Sequence, residues 1–184
     1  TLIKDLIVID PIKIIDTRGF FSEIWNKKEY EKLGIKENFV QDHRSFSKKK
    51  GTLRGLHYQS PPYTQSKLVR CSSGGILDVV VDVRNGSSTY GKWFSEKITS
   101  KNLKQIYVPS GCLHGFITLE SNTEILYKCS NYYNKKSEKI ILYNDPQINI
   151  NWELDKKNIY IGKKDKQGKL FNKFRSNFNI KNKL

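Results

Sequence analysis

The chain has no methionine, and only three cysteines, three histidines and five prolines in 184 residues. The cysteines, Cys71, Cys112 and Cys129, are odd in number and form no CxxC pair. That excludes a disulfide framework and zinc-finger spacing. It predicts free thiols in a reducing compartment, hence a cytoplasmic protein. No apolar run approaches the ~20 residues of a membrane-spanning helix, and no signal-peptide core is recognisable. There is no GxGxxG fingerprint for a dinucleotide. Acidic residues are scarce, 18 against 33 basic ones, for a formal net charge of +15. A charge of that size raises a nucleic-acid or acidic-membrane partner. The lysines are scattered, however, and no RNA-binding aromatic signature accompanies them. A small substrate carrying a diphosphate suits the same charge, so neither nucleic acid nor membrane is expected as a partner.

What is present is a series of short strands. The length predicts a single domain, residues 1–184, with a strand-rich core over 1–150 and a tail over 151–184 packed on it. Leu6–Ile9, Ile12–Ile15, Phe20–Trp25 and Phe39–Ser45 read as strands, with a short helix capped by Asn26, running through Leu33 and closed by Gly34. Arg54–Gln59 reads as a strand on which Leu53, His57 and Gln59 face one way and Arg54, Leu56 and Tyr58 the other. Lys67–Ser72 follows, then Gly74-Gly75 as a hairpin turn into Ile76–Arg84. Further strands fall at Trp93–Ile98, Lys104–Val108, His114–Leu119 and Thr123–Cys129. Many short strands at close spacing, broken by glycine, proline and asparagine, indicate an all-β antiparallel sandwich or barrel. The tail, lysine- and asparagine-rich, is expected to be helical or irregular, with a mobile final dozen.

Five segments carry a more specific signal: Asp16–Glu23, Leu53–Gln59, Gln65–Arg70, Pro109–Phe116 and Tyr127–Tyr133. In this order and spacing they resemble the dTDP-4-dehydrorhamnose 3,5-epimerase family, over about Leu6 to Asp165. The resemblance implies a cupin-type jelly roll. It also implies a homodimer with exchanged N-terminal strands, and a nucleotide-diphosphate sugar as substrate, with no cofactor and no metal. The family's substrate is a nucleotide-linked 4-keto-6-deoxy sugar, whose C3 and C5 protons are acidic because both carbons flank the ketone. Inversion needs a base on one face, an acid on the other and a cation at the ketone oxygen.

The resemblance assigns these roles residue by residue. His57 matches the base, Asp165 the carboxylate that orients it, Tyr127 the acid and Lys67 the cation at the enolate oxygen. Arg18, Glu23, Gln41, Arg54, His114 and Glu138 match positions that hold nucleotide, diphosphate or sugar. Phe20 and Tyr132 or Tyr133 match aromatics that pack on base or sugar, and Gln59 and Lys164 complete the substrate-binding set. His43 belongs there too but departs from the pattern, which has asparagine after Gln-Asp, and Ser66 stands where glycine is common.

Within the family the alternatives are inversion at C3 alone, or a GDP-, CDP- or UDP-linked sugar or heptose. A different class is a metal-dependent cupin using His43, His57 and His114. That class places two ligands as His-x-His on one strand, a pattern missing here. A non-catalytic binding module is the third class, and it would have no use for His57, Lys67 and Tyr127 together.

Overall fold

The computed structural model describes residues 1–180. Two antiparallel sheets face each other. The first runs β1 (Ile7–Ile9), β9 (Gln105–Val108), β6 (Lys67–Ser73), β11 (Thr123–Cys129), β4 (Gln41–Ser47). The second runs β12 (Glu138–Ile140), β5 (Thr52–Gln59), β10 (Cys112–Thr118), β7 (Gly75–Asp82), β8 (Trp93–Thr99), with β13 (Tyr160–Ile161) beside β5. A separate hairpin, β2 (Ile14–Asp16) and β3 (Gly19–Phe21), is exposed throughout. This is the all-β antiparallel sandwich expected from the strand pattern, and the jelly roll that the resemblance implies.

Three apolar layers follow from strand parity. Val69, Cys71, Val80, Phe116 and Ile125 fill the space between the sheets. On the outer face of the second sheet, Leu56, Tyr58, Val79 and Leu113 are covered by Trp152, Phe171 and Phe174 of the tail. On the outer face of the first, Leu68 and Tyr107 are covered by Tyr30 and Ile35, brought there by α1 (Lys27–Lys32). Asn26 caps that helix by accepting from the Lys28 amide at 3.1 Å. With both faces covered, all eight residues of β7 are buried, the signature of an inner strand.

Two local expectations are corrected. Gly74 does not turn a hairpin: β6 and β7 lie in different sheets, and the chain crosses between them there. Gly74 has φ +73°, and a Cβ on it would sit 2.4 Å from Thr123 Oγ1. The apolar residues on both faces of β7 require an inner position, between β10 and β8.

The parity of β5 also differs. Leu53 shares the core face with Leu56 and Tyr58, while Arg54 lies on the other side with His57. A bulge is the cause: His114 and Phe116 of β10 pair with His57 and Arg54, two residues against three. Gly55 sits in it with φ +124°, and a Cβ there would be 2.5 Å from Gly115 Cα.

The strand expected over Phe20–Trp25 ends at Phe21, and the tail consists of short 3-10 turns and β13. Of its final dozen residues, those up to Ile180 are tied down. Asn85 donates to the Phe178 carbonyl at 2.9 Å and accepts from the Ile180 amide at 3.1 Å. Residues 181–184 lie outside the described part.

Candidate active site

A cleft of about 450 Å³ opens between the sheets at one end. The second sheet supplies Arg54, His57, His114 and Glu138, the first supplies His43, Ser45, Lys67 and Tyr127, and the turn Gly162–Asp165 forms a side wall. Phe116 also lines the cleft, at its contact with the inter-sheet core.

His57 is held from behind. Its Nε2 lies 2.6 Å from Asp165 Oδ1, and Asp165 is buried at 7 % exposure. The Gly55 amide donates to Asp165 Oδ2 at 3.5 Å, so the bulge that turns His57 into the cleft also contacts its carboxylate. A carboxylate on one imidazole nitrogen fixes the tautomer and frees the other nitrogen for proton transfer. His114 has a similar partner, with Nε2 2.8 Å from Oδ2 of the fully buried Asp78. Among the described residues Asp78 Oδ1 has no hydrogen-bond partner.

The facing wall is different. Tyr127 stacks on His43, ring centroids 5.0 Å apart at 18°. Burial, then the neighbourhood of Cys129, pushes its phenol up to about 12, so it is protonated at neutral pH. Burial depresses the Lys67 ammonium below the ordinary lysine range, with Cys129, Asp78 and Glu138 pulling the other way. The Cys129 thiol is itself pushed up to about 11 by burial, so it is neutral. Burial, then Lys67, also holds His43 below the ordinary imidazole range.

The mouth is framed by polar contacts. Glu138 accepts from Lys164 at 2.7 Å and from the Tyr133 hydroxyl at 3.0 Å. Gln41 accepts from the Tyr133 amide at 3.0 Å. Gln59 spends its side chain on the loop, donating to the carbonyls of Tyr63 (2.6 Å) and Tyr132 (3.2 Å) and accepting from the Asn134 amide (2.7 Å). Arg54 lies at the rim and donates to the Phe46 carbonyl at 3.2 Å.

Within one chain, Arg18, Phe20 and Glu23 do not line this cleft. Arg18 pairs with Asp16 at 2.6 Å, and Phe20 is 51 % exposed on the hairpin, with Lys13 over its ring. Among the described residues no three His, Cys, Asp or Glu side chains come together in a way that would hold a metal. Asp78, Ser45 and Phe116 were not singled out from sequence. Asp78 had a signal, an acid inside the apolar run Ile76–Val81. The other two had none.

The chain is similar to known proteins in sequence and in fold. Residues 1–173 match the model of a family described as dTDP-4-dehydrorhamnose 3,5-epimerase. A dTDP-4-dehydrorhamnose 3,5-epimerase of Shigella flexneri is 44 % identical over 172 residues, 93 % of each chain. A dTDP-6-deoxy-D-glucose-3,5-epimerase structure from Legionella pneumophila, in complex with dTDP-4-keto-L-rhamnose, is 44 % identical with a TM-score of 0.90. That alignment covers 95 % of this chain and 92 % of the other. A 3'-monoepimerase from Streptomyces bikiniensis in complex with dTDP-quinovose is more distant, 27 % identical with a TM-score of 0.85, covering 92 % and 85 %.

Proposed function

The chain belongs to the dTDP-4-dehydrorhamnose 3,5-epimerase family, isomerases acting on a nucleotide sugar, and on that premise we propose how its own residues carry the reaction. His57 removes the proton from the carbon beside the ketone, the C–H electron pair passes into the enolate, and Lys67 stabilises the oxygen that gains charge. Tyr127 then gives its hydroxyl proton to the opposite face of that carbon. Re-ketonisation leaves the centre inverted, the His57 imidazolium gives its proton to solvent, and the phenolate regains one from solvent. The same sequence at C3 and at C5 converts the dTDP-4-dehydro-6-deoxy-glucose configuration to that of dTDP-4-dehydro-rhamnose. Asp165 orients His57. Arg54 and Lys164 hold the diphosphate, paired hydrogen bonds from the guanidinium suiting it well. His114, Glu138 and Tyr133 hold the sugar and base, and no cofactor or metal takes part.

The observation that carries this reading is the opposition of the two walls. A histidine backed by a buried carboxylate faces a phenol kept protonated by burial, with an ammonium beside it. Incubation with dTDP-4-dehydro-6-deoxy-glucose in deuterium oxide tests it, NMR counting the deuterium at C3 and C5. Label at both carbons with inversion is expected. Inversion at C3 alone would make this chain a monoepimerase, and no label at either carbon would refute the reading.

The working unit is a homodimer in the cytoplasm. Two features support the dimer. The β2–β3 hairpin leaves Ile14, Ile15 and Phe21 at 60 %, 72 % and 66 % exposure, more apolar surface than a monomer leaves idle. Strand β4 ends its sheet with an open edge that invites pairing. A hairpin laid on the partner's β4 edge brings Arg18, Phe20 and Glu23 toward the partner's cleft. Sedimentation at micromolar concentration is expected to give twice the chain mass, and a monomer of full activity would contradict this.

A further inference from the structure

Tyr127 and His43 are direct cross-strand partners on β11 and β4, both on the face turned toward the cleft. Val69, fully buried, is the partner of Tyr127 on the other side. The phenol ring is thus flanked by an aliphatic side chain and a parallel imidazole, 5.0 Å away at 18°. Its hydroxyl makes no hydrogen bond among the described residues. No protein hydrogen bond therefore holds the phenol, and ring packing is what places the ring.

We propose that His43 is a positioning residue, whose imidazole holds the Tyr127 ring in the orientation that protonates the face opposite His57. The proposal rests on the reading of Tyr127 as the acid and adds what aims it. Cross-strand aromatic pairs are attractive and have a preferred geometry. Reaction rates are steep in position, a displacement of about 1 Å at the reacting atoms costing on the order of 10²-fold. Losing the stack frees the ring to sample other rotamers. Proton removal by His57 is untouched by that freedom, but delivery from Tyr127 is not.

The test uses the exchange-to-inversion ratio in deuterium oxide. His43→Ala is expected to raise that ratio about tenfold, part of the positional penalty above. His43→Phe keeps a ring for Tyr127 to stack on and is expected to hold the ratio within twofold, whatever its rate. In a Tyr127→Phe background, His43→Ala should add nothing to the ratio. A folded His43→Ala with an unaltered ratio and a raised KM would overturn the proposal, making His43 a substrate contact only. His43→Phe as impaired in ratio as His43→Ala would also overturn it, since the imidazole rather than the stack would then matter. If His43→Ala does not fold, His43→Asn carries the same test. If Tyr127→Phe itself leaves the ratio unchanged, Tyr127 is not the acid, and both readings fall together.

Discussion

On the wall that carries His57, position is set by hydrogen bonds. Asp165 grips the imidazole, the Gly55 amide contacts Asp165, and the bulge at Gly55 turns the strand. On the facing wall neither the Tyr127 hydroxyl nor the Lys67 ammonium has a hydrogen-bond partner among the described residues, and the Tyr127 ring is held by its stack on His43. The difference matches the tasks. A base must present one nitrogen in one tautomer at every turnover, which a carboxylate enforces. An acid needs its proton retained, which burial does by penalising the phenolate. An unpartnered ammonium keeps its donors for the substrate oxygen.

The contrast is broken most severely at its base. His57→Ala should abolish deuterium exchange and inversion together, by ~10²–10⁴ or more, while circular dichroism shows an intact fold. Near-normal exchange in a folded variant would remove the base from that wall. Asp165→Asn should lower both rates less than His57→Ala does, because it alters orientation and leaves the imidazole in place. A loss equal to or larger than that of His57→Ala would assign Asp165 a direct part in the chemistry.

A smaller effect sharpens the other wall. The Tyr127 phenol is raised from its ordinary value near 10 to about 12. Between these values the folded chain holds a proton that the unfolded chain has released, so Tyr127 makes stability fall as pH rises through that window. Below the window its contribution is constant. Chemical denaturation should therefore show an alkaline loss that Tyr127→Phe reduces, and a loss of the same size in the variant would assign it to other groups.

Much of this was legible in the sequence. Thr123–Cys129 reads as a strand to the residue, because Ser121-Asn122 and Ser130-Asn131 mark its ends. His57 was placed on a strand for the same reason. The alternation puts Arg54 on the wrong face, because a period of two carries across a strand only while no bulge intervenes, and the bulge depends on contact with Gly115 of a distant strand. Asp165 reaches His57 across 108 residues from a 3-10 turn in an irregular tail. No local pattern announces such a contact, and only the family resemblance pointed to it. The Gly74 crossover was hidden likewise, since a glycine pair between strands marks a turn without saying which sheet the chain enters.

The account stands most directly on Tyr127→Phe, assayed in deuterium oxide for exchange and inversion at once. The variant loses one hydroxyl and keeps the ring against His43. The account predicts that His57 still removes and returns protons on its own face, so solvent deuterium enters with retention while inversion falls by ~10²–10⁴. Exchange and inversion falling in the same proportion, or neither falling, would contradict it.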